Sequence, residues 1–262
     1  MIGFIEDKAY VLHRIKHRET SQKLHLFSLE SGHIQAVLKG VYTQRKYRCA
    51  TQPFTLLNIR YKNTRYPYRY LSVAEPVISP RHHFTGQRIA CALYINEILF
   101  HSLPYQHAYQ ELFYLYAQFL AALEQACLDL LDIQLRIFEK QMLSLLGYHY
   151  NFTLTCHDAA VAPHKMYHFI PGQGLIDAAH AKHATTYTRH DGYSISQSIS
   201  QSAGQAFTGE ALLAMAHNDF TEKATRQQAK YIMRAAIQHM IGYKTLKSRK
   251  LFVDRNFYTW LS

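Results

Sequence analysis

Apolar and polar residues alternate with a period of two through the first 75 or so positions and then recur every three or four residues, so the chain changes character near residue 76. Over residues 9–18, AYVLHRIKHR, the alternation puts Val11, His13 and Ile15 on one face and Leu12, Arg14, Lys16 and Arg18 on the other, the signature of a half-buried strand. A second strand, KLHLFSL, ends at a tight turn at Ser31 and Gly32, and HIQAVLKG resumes with Ile34, Ala36 and Leu38 on one face. After a basic loop, QPFTLLNIRY and YRYLSVAE supply a fourth and a fifth strand, separated by the turn-like KNTRYP. Five strands this short cannot bury both faces singly. They predict a small barrel, most commonly the five-stranded OB-fold, with an SH3-like barrel as the main rival.

Beyond Pro76 and Pro80 the spacing is helical. Residues 88–103 present Ile89, Leu93, Asn96 and Leu99 on one side, and residues 108–126 present Leu112, Leu115, Tyr116, Phe119 and Leu123. A third helix, about 129–146, repeats Leu131, Leu135, Phe138, Met142 and Leu145 and stops at Gly147, where a left-handed cap is expected. Residues 150–206 lose periodicity and gather Gly, Ser, Thr and His, which predicts a loosely structured insert with one or two short strands around MYHFIPG. Helices return at about 208–217, capped by Thr208, and at 222–242. The last buries Ala229, Ile232, Met233, Ala236 and Met240 and carries a basic stripe of Lys223, Arg226, Lys230 and Arg234. The expected class is α+β: an OB-fold barrel over 1–78, a helical domain in two parts over 79–149 and 207–262, and an irregular insert over 150–206.

Charge sharpens this division. The 262 residues carry a net charge of +11, but unevenly. Residues 1–74 hold 13 Lys and Arg against 4 Asp and Glu, residues 75–221 hold 7 against 12, and residues 222–262 hold 9 against 2. Two basic ends around an acidic middle suggest a polyanion-binding face, provided the fold brings the ends together; a merely solubilising excess is the bland alternative. The four cysteines, 49, 91, 127 and 156, contain no CxxC pair, which argues for reduced thiols rather than a disulfide framework or an ordinary zinc finger. The longest apolar run, ACALYINEILF, is interrupted by Asn96 and Glu97, and the opening MIGFIEDKAY is acidic where a secretory signal is basic. A cytoplasmic location is expected.

The candidate chemistry is binding. The loop Tyr42, Arg45, Lys46, Tyr47 and Arg48, following Lys39, interleaves cations for phosphates with rings for bases, and the run from Arg60 to Tyr70, with Lys62 and Arg65, repeats that composition. With the strand cations Arg14, Lys16 and Arg18, and Lys247 and Arg249 near the C-terminus, these are the expected nucleic-acid contacts. Cations after the last helix also suit its dipole. No phosphate-binding loop, HExxH, GxSxG or dinucleotide fingerprint occurs, so neither catalysis nor a cofactor is expected. Two other classes remain open: a metal-dependent nuclease using His157, His164 and His168 near Cys156, and an RNA-binding OB-fold protein. On the third helix, Arg136 and Lys140, spaced i, i+4 among Leu135, Phe138 and Leu143, could receive an acidic, aromatic-ended peptide or simply pair with a nearby Glu.

The ordered segments AYVLHRIKHRETS, LFSLESGHIQAVLKGV, TQPFTLLNIRY, LYINEIL, LRIFEKQMLSLLGYHYNF and GYKTLKSRKLF, which span nearly the whole chain, resemble the RecO family of bacterial recombination mediators. The resemblance implies an N-terminal OB-fold, a helical domain assembled from both sides of an insert, and a non-catalytic role in DNA repair. It further implies binding of single- and double-stranded DNA, annealing of complementary strands, engagement of the acidic C-terminal tail of the single-stranded-DNA-binding protein SSB, and action with RecR to load RecA. The family's SSB-tail pocket falls on Arg136 in LRIFE, with Leu135, Phe138 and Lys140 as neighbours. Some members carry a four-cysteine zinc module in the insert; this chain retains only Cys156 there, so no metal is expected.

Overall fold

The computed structural model describes residues 3–44, 47, 50–62, 68–77, 82, 84–181 and 205–252. Two compact units emerge, Met1–Leu131 with Thr245–Ser262, and Asp132–Lys244.

In the first unit, β1 (Phe4–His17), β2 (Ser21–Ser28), β3 (Gly32–Leu38), β4 (Leu56–Lys62) and β5 (Arg69–Pro76) close into a barrel of order β1-β2-β3-β5-β4. All neighbours are antiparallel except β3 and β5, which close the barrel in parallel through Ala36 opposite Arg69 and Val37 opposite Tyr70. That order is the OB-fold, as the alternating pattern predicted. The interior is filled by inward residues of every strand, among them Ala9, Val11, Leu24, Leu26, Ile34, Ala36, Leu57, Ile59, Tyr61 and Leu71. At the β2–β3 turn, Gly32 has φ 65°, and a Cβ there would lie 1.8 Å from the His107 carbonyl oxygen, so both backbone conformation and space demand glycine.

The face assignment along β1 needs correction. A bulge between Val11 and His13 shifts the register: Val11 faces Leu26 inside the barrel, but beyond the bulge it is Arg14 that pairs with the interior residue Leu24. His13 and Ile15 therefore point outward, and Arg14 and Lys16 continue the inward row toward the barrel's end, where both are exposed. The bulge is anchored by a buried amide. Asn96 Nδ2 donates to the Leu12 carbonyl at 3.0 Å, and its Oδ1 accepts from the Tyr116 hydroxyl. Asn96 lies on α1 (Gly86–Ser102) and Tyr116 on α2 (Gln110–Gln125). Phe113 and Tyr116 of α2 pack on Tyr10 with ring centroids 5.1 and 5.0 Å apart, covering part of the barrel's outer face. A 3₁₀ segment, Lys247–Phe252, lies against α1, with Phe252 edge-on to Tyr94 at 5.9 Å.

The second unit contains α3 (Leu131–Leu145, entering from the boundary), β6 (Met166–Ile170), β7 (Gly174–Asp177), α4 (Ala178–Ala181), β8 (Phe207–Thr208), α5 (Gly209–Ala216) and α6 (Lys223–Met240). α3 ends as its sequence predicts: Gly147 takes φ 87° and the Tyr148 amide donates back to the Leu143 carbonyl at 2.8 Å. Thr208 caps α5, its hydroxyl accepting from the Ala211 amide at 3.3 Å. Within the insert β6 pairs with β7 on one side and, on the other, with β8 from just beyond it, around buried Tyr167, Phe169, Leu175 and Phe207. Among the described residues no helix is long and apolar enough to cross a membrane.

Candidate nucleic-acid interface

Strand register builds a platform on the uncovered part of the barrel's outer face. Ile15 of β1 sits opposite Lys23 of β2, Lys23 opposite Val37 of β3, and Val37 opposite Tyr70 of β5, so these four form one lateral row. The Lys23 ammonium lies 4.3 Å from the centroid of the Tyr68 ring, and the Lys39 ammonium lies 5.3 Å from that of Tyr70. Each pair presents a ring face and a cation together. Ile15, Tyr68 and Tyr70 are 45%, 37% and 49% exposed, far more than ordinary packing leaves large apolar side chains.

One edge of this platform is held in place by the loop after β3. The Val41 amide donates to the Thr20 carbonyl at 2.9 Å, and Gln22 Nε2 donates to the Tyr42 hydroxyl at 3.0 Å, so Lys39 and Tyr42 are tied to the β1–β2 turn. Arg18, in that turn, adopts φ 57° and is exposed. Arg14, Lys16, Arg18, Lys39 and Tyr42, anticipated from sequence, thus share one end of the barrel.

The C-terminal cations join them. Burial lowers the pKa of His13; Glu97 opposes that shift, and Lys247 and Arg14 both reinforce it, so Lys247 and Arg14 act on the same ring. Lys247 and Lys250 are exposed, and Arg249 is half-buried in the same 3₁₀ segment.

Other anticipated residues stand elsewhere. Arg60 is engaged by Glu6, with Nη2 and Nε 2.5 and 2.8 Å from the same carboxylate oxygen, and Lys62 lies 5.6 Å from the Phe4 ring, so both sit on the β1–β4 side. Tyr47 packs half-buried against the barrel core instead of standing in solvent. Arg45, Lys46, Arg48 and Arg65 lie outside the described residues. Tyr68 and Tyr70 belong to the run from Arg60 to Tyr70 expected from sequence; Lys23 was not expected, although the alternation that turns Leu24 and Leu26 inward necessarily turns Lys23 outward.

In the second unit, Arg136 is buried and its Nη1 lies 2.6 Å from Glu139, itself wholly buried, so the plain ion pair is realised. Leu135 and Phe138 are 5% and 2% exposed and serve as core. Lys140 gives its three ammonium donors to the carbonyls of Met215 and Ala216 and to Asn218 Oδ1, at 2.7, 2.8 and 2.9 Å, which caps the C-terminal end of α5. In the stripe on α6, Lys230 and Arg234 lie near Arg136 and form a positive cluster. Desolvation, with Arg234 and Arg136 as like-charged neighbours, lowers the Lys230 pKa to about 8 against the pull of Asp132.

His157 and His164 are exposed, and among the described residues no group of three or more His, Cys, Asp or Glu side chains is disposed to hold a metal ion. The turn at that place is closed by protein atoms instead: Thr155 Oγ1 accepts from the His157 and Ala159 amides, and the Cys156 amide donates to the Leu175 carbonyl.

Comparison with known proteins identifies the family. The family model described as "Recombination protein O N terminal" matches residues 1–79, and "Recombination protein O C terminal" matches residues 83–250. The chain is 31% identical over 250 residues to the DNA repair protein RecO of Psychromonas ingrahamii, covering 94% of this chain and 97% of that one. It is 33% identical over 247 residues to the RecO of Actinobacillus pleuropneumoniae serotype 7, covering 94% and 93%. The RecO of Erwinia tasmaniensis is 33% identical over 248 residues, covering 94% and 91%.

Proposed function

Because the chain belongs to the recombination protein O family of DNA repair proteins, we propose that it is a non-catalytic, cytoplasmic recombination mediator whose barrel grips DNA through the platform of Lys23, Tyr68, Lys39 and Tyr70. The paired rings and cations carry this reading. Cations meet phosphates, and exposed tyrosines offer bases a stacking surface that an unpaired strand can use fully and a duplex cannot. Arg14, Lys16, Arg18 and Tyr42 extend the contact along the barrel end, and duplex DNA is held through its phosphates alone.

Annealing follows from the same physics. Two strands repel; a protein that neutralises both lowers that repulsion, and base pairing then selects the partner. Recruitment to SSB-coated DNA is assigned to the second unit, where Arg136, Lys230 and Arg234 attract the acidic SSB tail, and the protein then acts with RecR in loading RecA. Leu135, Phe138 and Lys140 support that site by packing and capping.

The test is binding and annealing by charge-reversed and ring-deleted forms of the full chain. Lys23→Glu with Lys39→Glu should weaken single-stranded DNA binding at least 100-fold. Tyr70→Ala should weaken it roughly tenfold, in line with about 1–3 kcal/mol per stacked base, while sparing duplex binding. Binding by the wild type should fall by ~10³ between 50 and 200 mM salt if about six phosphates are neutralised. Full annealing of SSB-coated complementary oligonucleotides by the charge-reversed protein would overturn the reading.

A further inference from the structure

Glu97 interrupts the longest apolar run of the chain, and nothing in a DNA-binding surface calls for it. Its carboxylate is fully used. Oε1 accepts from the Lys247 amide at 2.8 Å, and Oε2 accepts from the Ser248 amide at 2.8 Å and the Ser248 hydroxyl at 2.5 Å. Burial by itself would raise the Glu97 pKa, but the Ser248 hydroxyl and amide and the Lys247 amide outweigh it and hold the carboxyl below its usual range. The charged form is therefore the one the fold selects.

Two of the three donors that the carboxylate grips are main-chain amides. It satisfies the first amides of the 3₁₀ segment Lys247–Phe252, which would otherwise lack acceptors. The Lys247 side chain is exposed, as is that of Lys250. An ordinary surface ion pair would cancel a cation; this arrangement fixes where the cations stand while taking none of their donors. The segment TLKSRK contains three basic residues with no acid, and unanchored it would sample many positions. Anchoring by Glu97, burial of Leu246 and the Phe252–Tyr94 contact place it beside α1, where Lys247 and Arg14 both act on His13. Such ordering before the ligand arrives removes an entropic cost from binding.

We infer that Glu97 is a positioning residue for polynucleotide binding: it straps the C-terminal basic segment to α1 so that Lys247 and Lys250 continue the cationic face begun by Arg14. The inference rests on the reading that the barrel binds DNA, and it extends that contact beyond the platform.

Fluorescence anisotropy with a single-stranded oligonucleotide across a salt series tests it, using the full chain. Glu97→Gln keeps the shape but turns one acceptor into a donor aimed at an amide. It should weaken binding about tenfold at 150 mM salt and lower the slope of log K against log salt by about 1.4, the share of two phosphates on a single strand. Lys247→Ala with Lys250→Ala should do the same, and adding Glu97→Gln to that pair should change little more. A simple loss of stability would not lower the slope selectively. Glu97→Gln with a wild-type slope, or losses that add fully in the triple variant, would overturn the inference. If Glu97→Gln fails to fold, Ser248→Ala decides: a smaller loss that vanishes in the background of the two lysine substitutions supports the strap, and one that persists there overturns it. Lys23→Glu with Lys39→Glu separates the two ideas, since wild-type binding by that variant would instead remove the underlying DNA-binding reading.

Discussion

His25 and His33 meet on the outer face of the barrel, His25 Nδ1 3.2 Å from His33 Nε2, and His33 Nδ1 3.3 Å from the Leu103 carbonyl. A carbonyl only accepts, so His33 carries a proton on Nδ1; burial lowers the pKa of both rings, which are therefore neutral near pH 7, and His33 Nε2 then accepts from His25 Nδ1. Burial, then His33, Lys23 and His13, lower the His25 pKa to about 4. The unfolded chain protonates this ring near 6.5 and the folded chain does not until about 4, so between those values the unfolded state holds more protons and stability falls as pH falls. The His25 contribution should amount to about 2 kcal/mol lost between pH 7 and pH 5. Urea midpoints for the wild type and His25→Phe at the two pH values measure it: the variant should lose distinctly less, and identical losses would exclude His25 as the source. In the sequence these histidines were only abundant; their meeting depends on β1, β2 and β3 laying His13, His25 and His33 around Phe100, with centroids 5.6, 4.8 and 5.8 Å away. Periodicity records which face a residue takes, but not which rings from other strands will share it.

At the level of elements, Lys140 shows how a residue marked for a partner can be taken by the fold. Its ammonium closes the last carbonyls of α5, and burial lowers its pKa. Lys140→Met should therefore reduce stability in urea by about 1–3 kcal/mol while leaving the affinity of the folded protein for DNA unchanged. A variant as stable as the wild type would show that water replaces those bonds at no cost. The period-two and helical patterns located all five barrel strands and the five longer helices, because burial of one face is a local property of the chain. The bulge in β1 was not legible. It depends on Asn96, 84 residues beyond the Leu12 carbonyl it satisfies, and without it Ile15 reads as core when it is 45% exposed. Asn96 did stand out at a core position of a helix, yet an amide in such a place names no partner.

For the whole molecule, the uneven charge along the chain was informative in part: residues 245–262 share a unit with the basic N-terminal stretch, whereas 222–244 belong to the other unit. Its limit was the second unit, where the stripe on α6 was visible but its neighbour Arg136 could not be assigned to it. That cluster yields a separate prediction. An acidic peptide ending in Phe, standing for the SSB tail, should bind best while Lys230 is charged and weaken as pH rises through about 8, because the bound carboxylates favour the protonated ammonium. Lys230→Gln should weaken the peptide roughly tenfold, abolish that pH dependence and leave DNA binding unaltered; a retained pH dependence would move the titrating group elsewhere. Arg136→Ala is a poorer probe, because it strands the wholly buried Glu139. The strap held by Glu97 also has a temporal side. Residues 132–244 separate the barrel from the segment that rejoins it, so on the ribosome the barrel emerges several seconds before its last cations arrive, at roughly 5–20 residues per second. A nascent chain surrounded by ribosomal RNA thus carries only part of its final grip until synthesis is nearly finished.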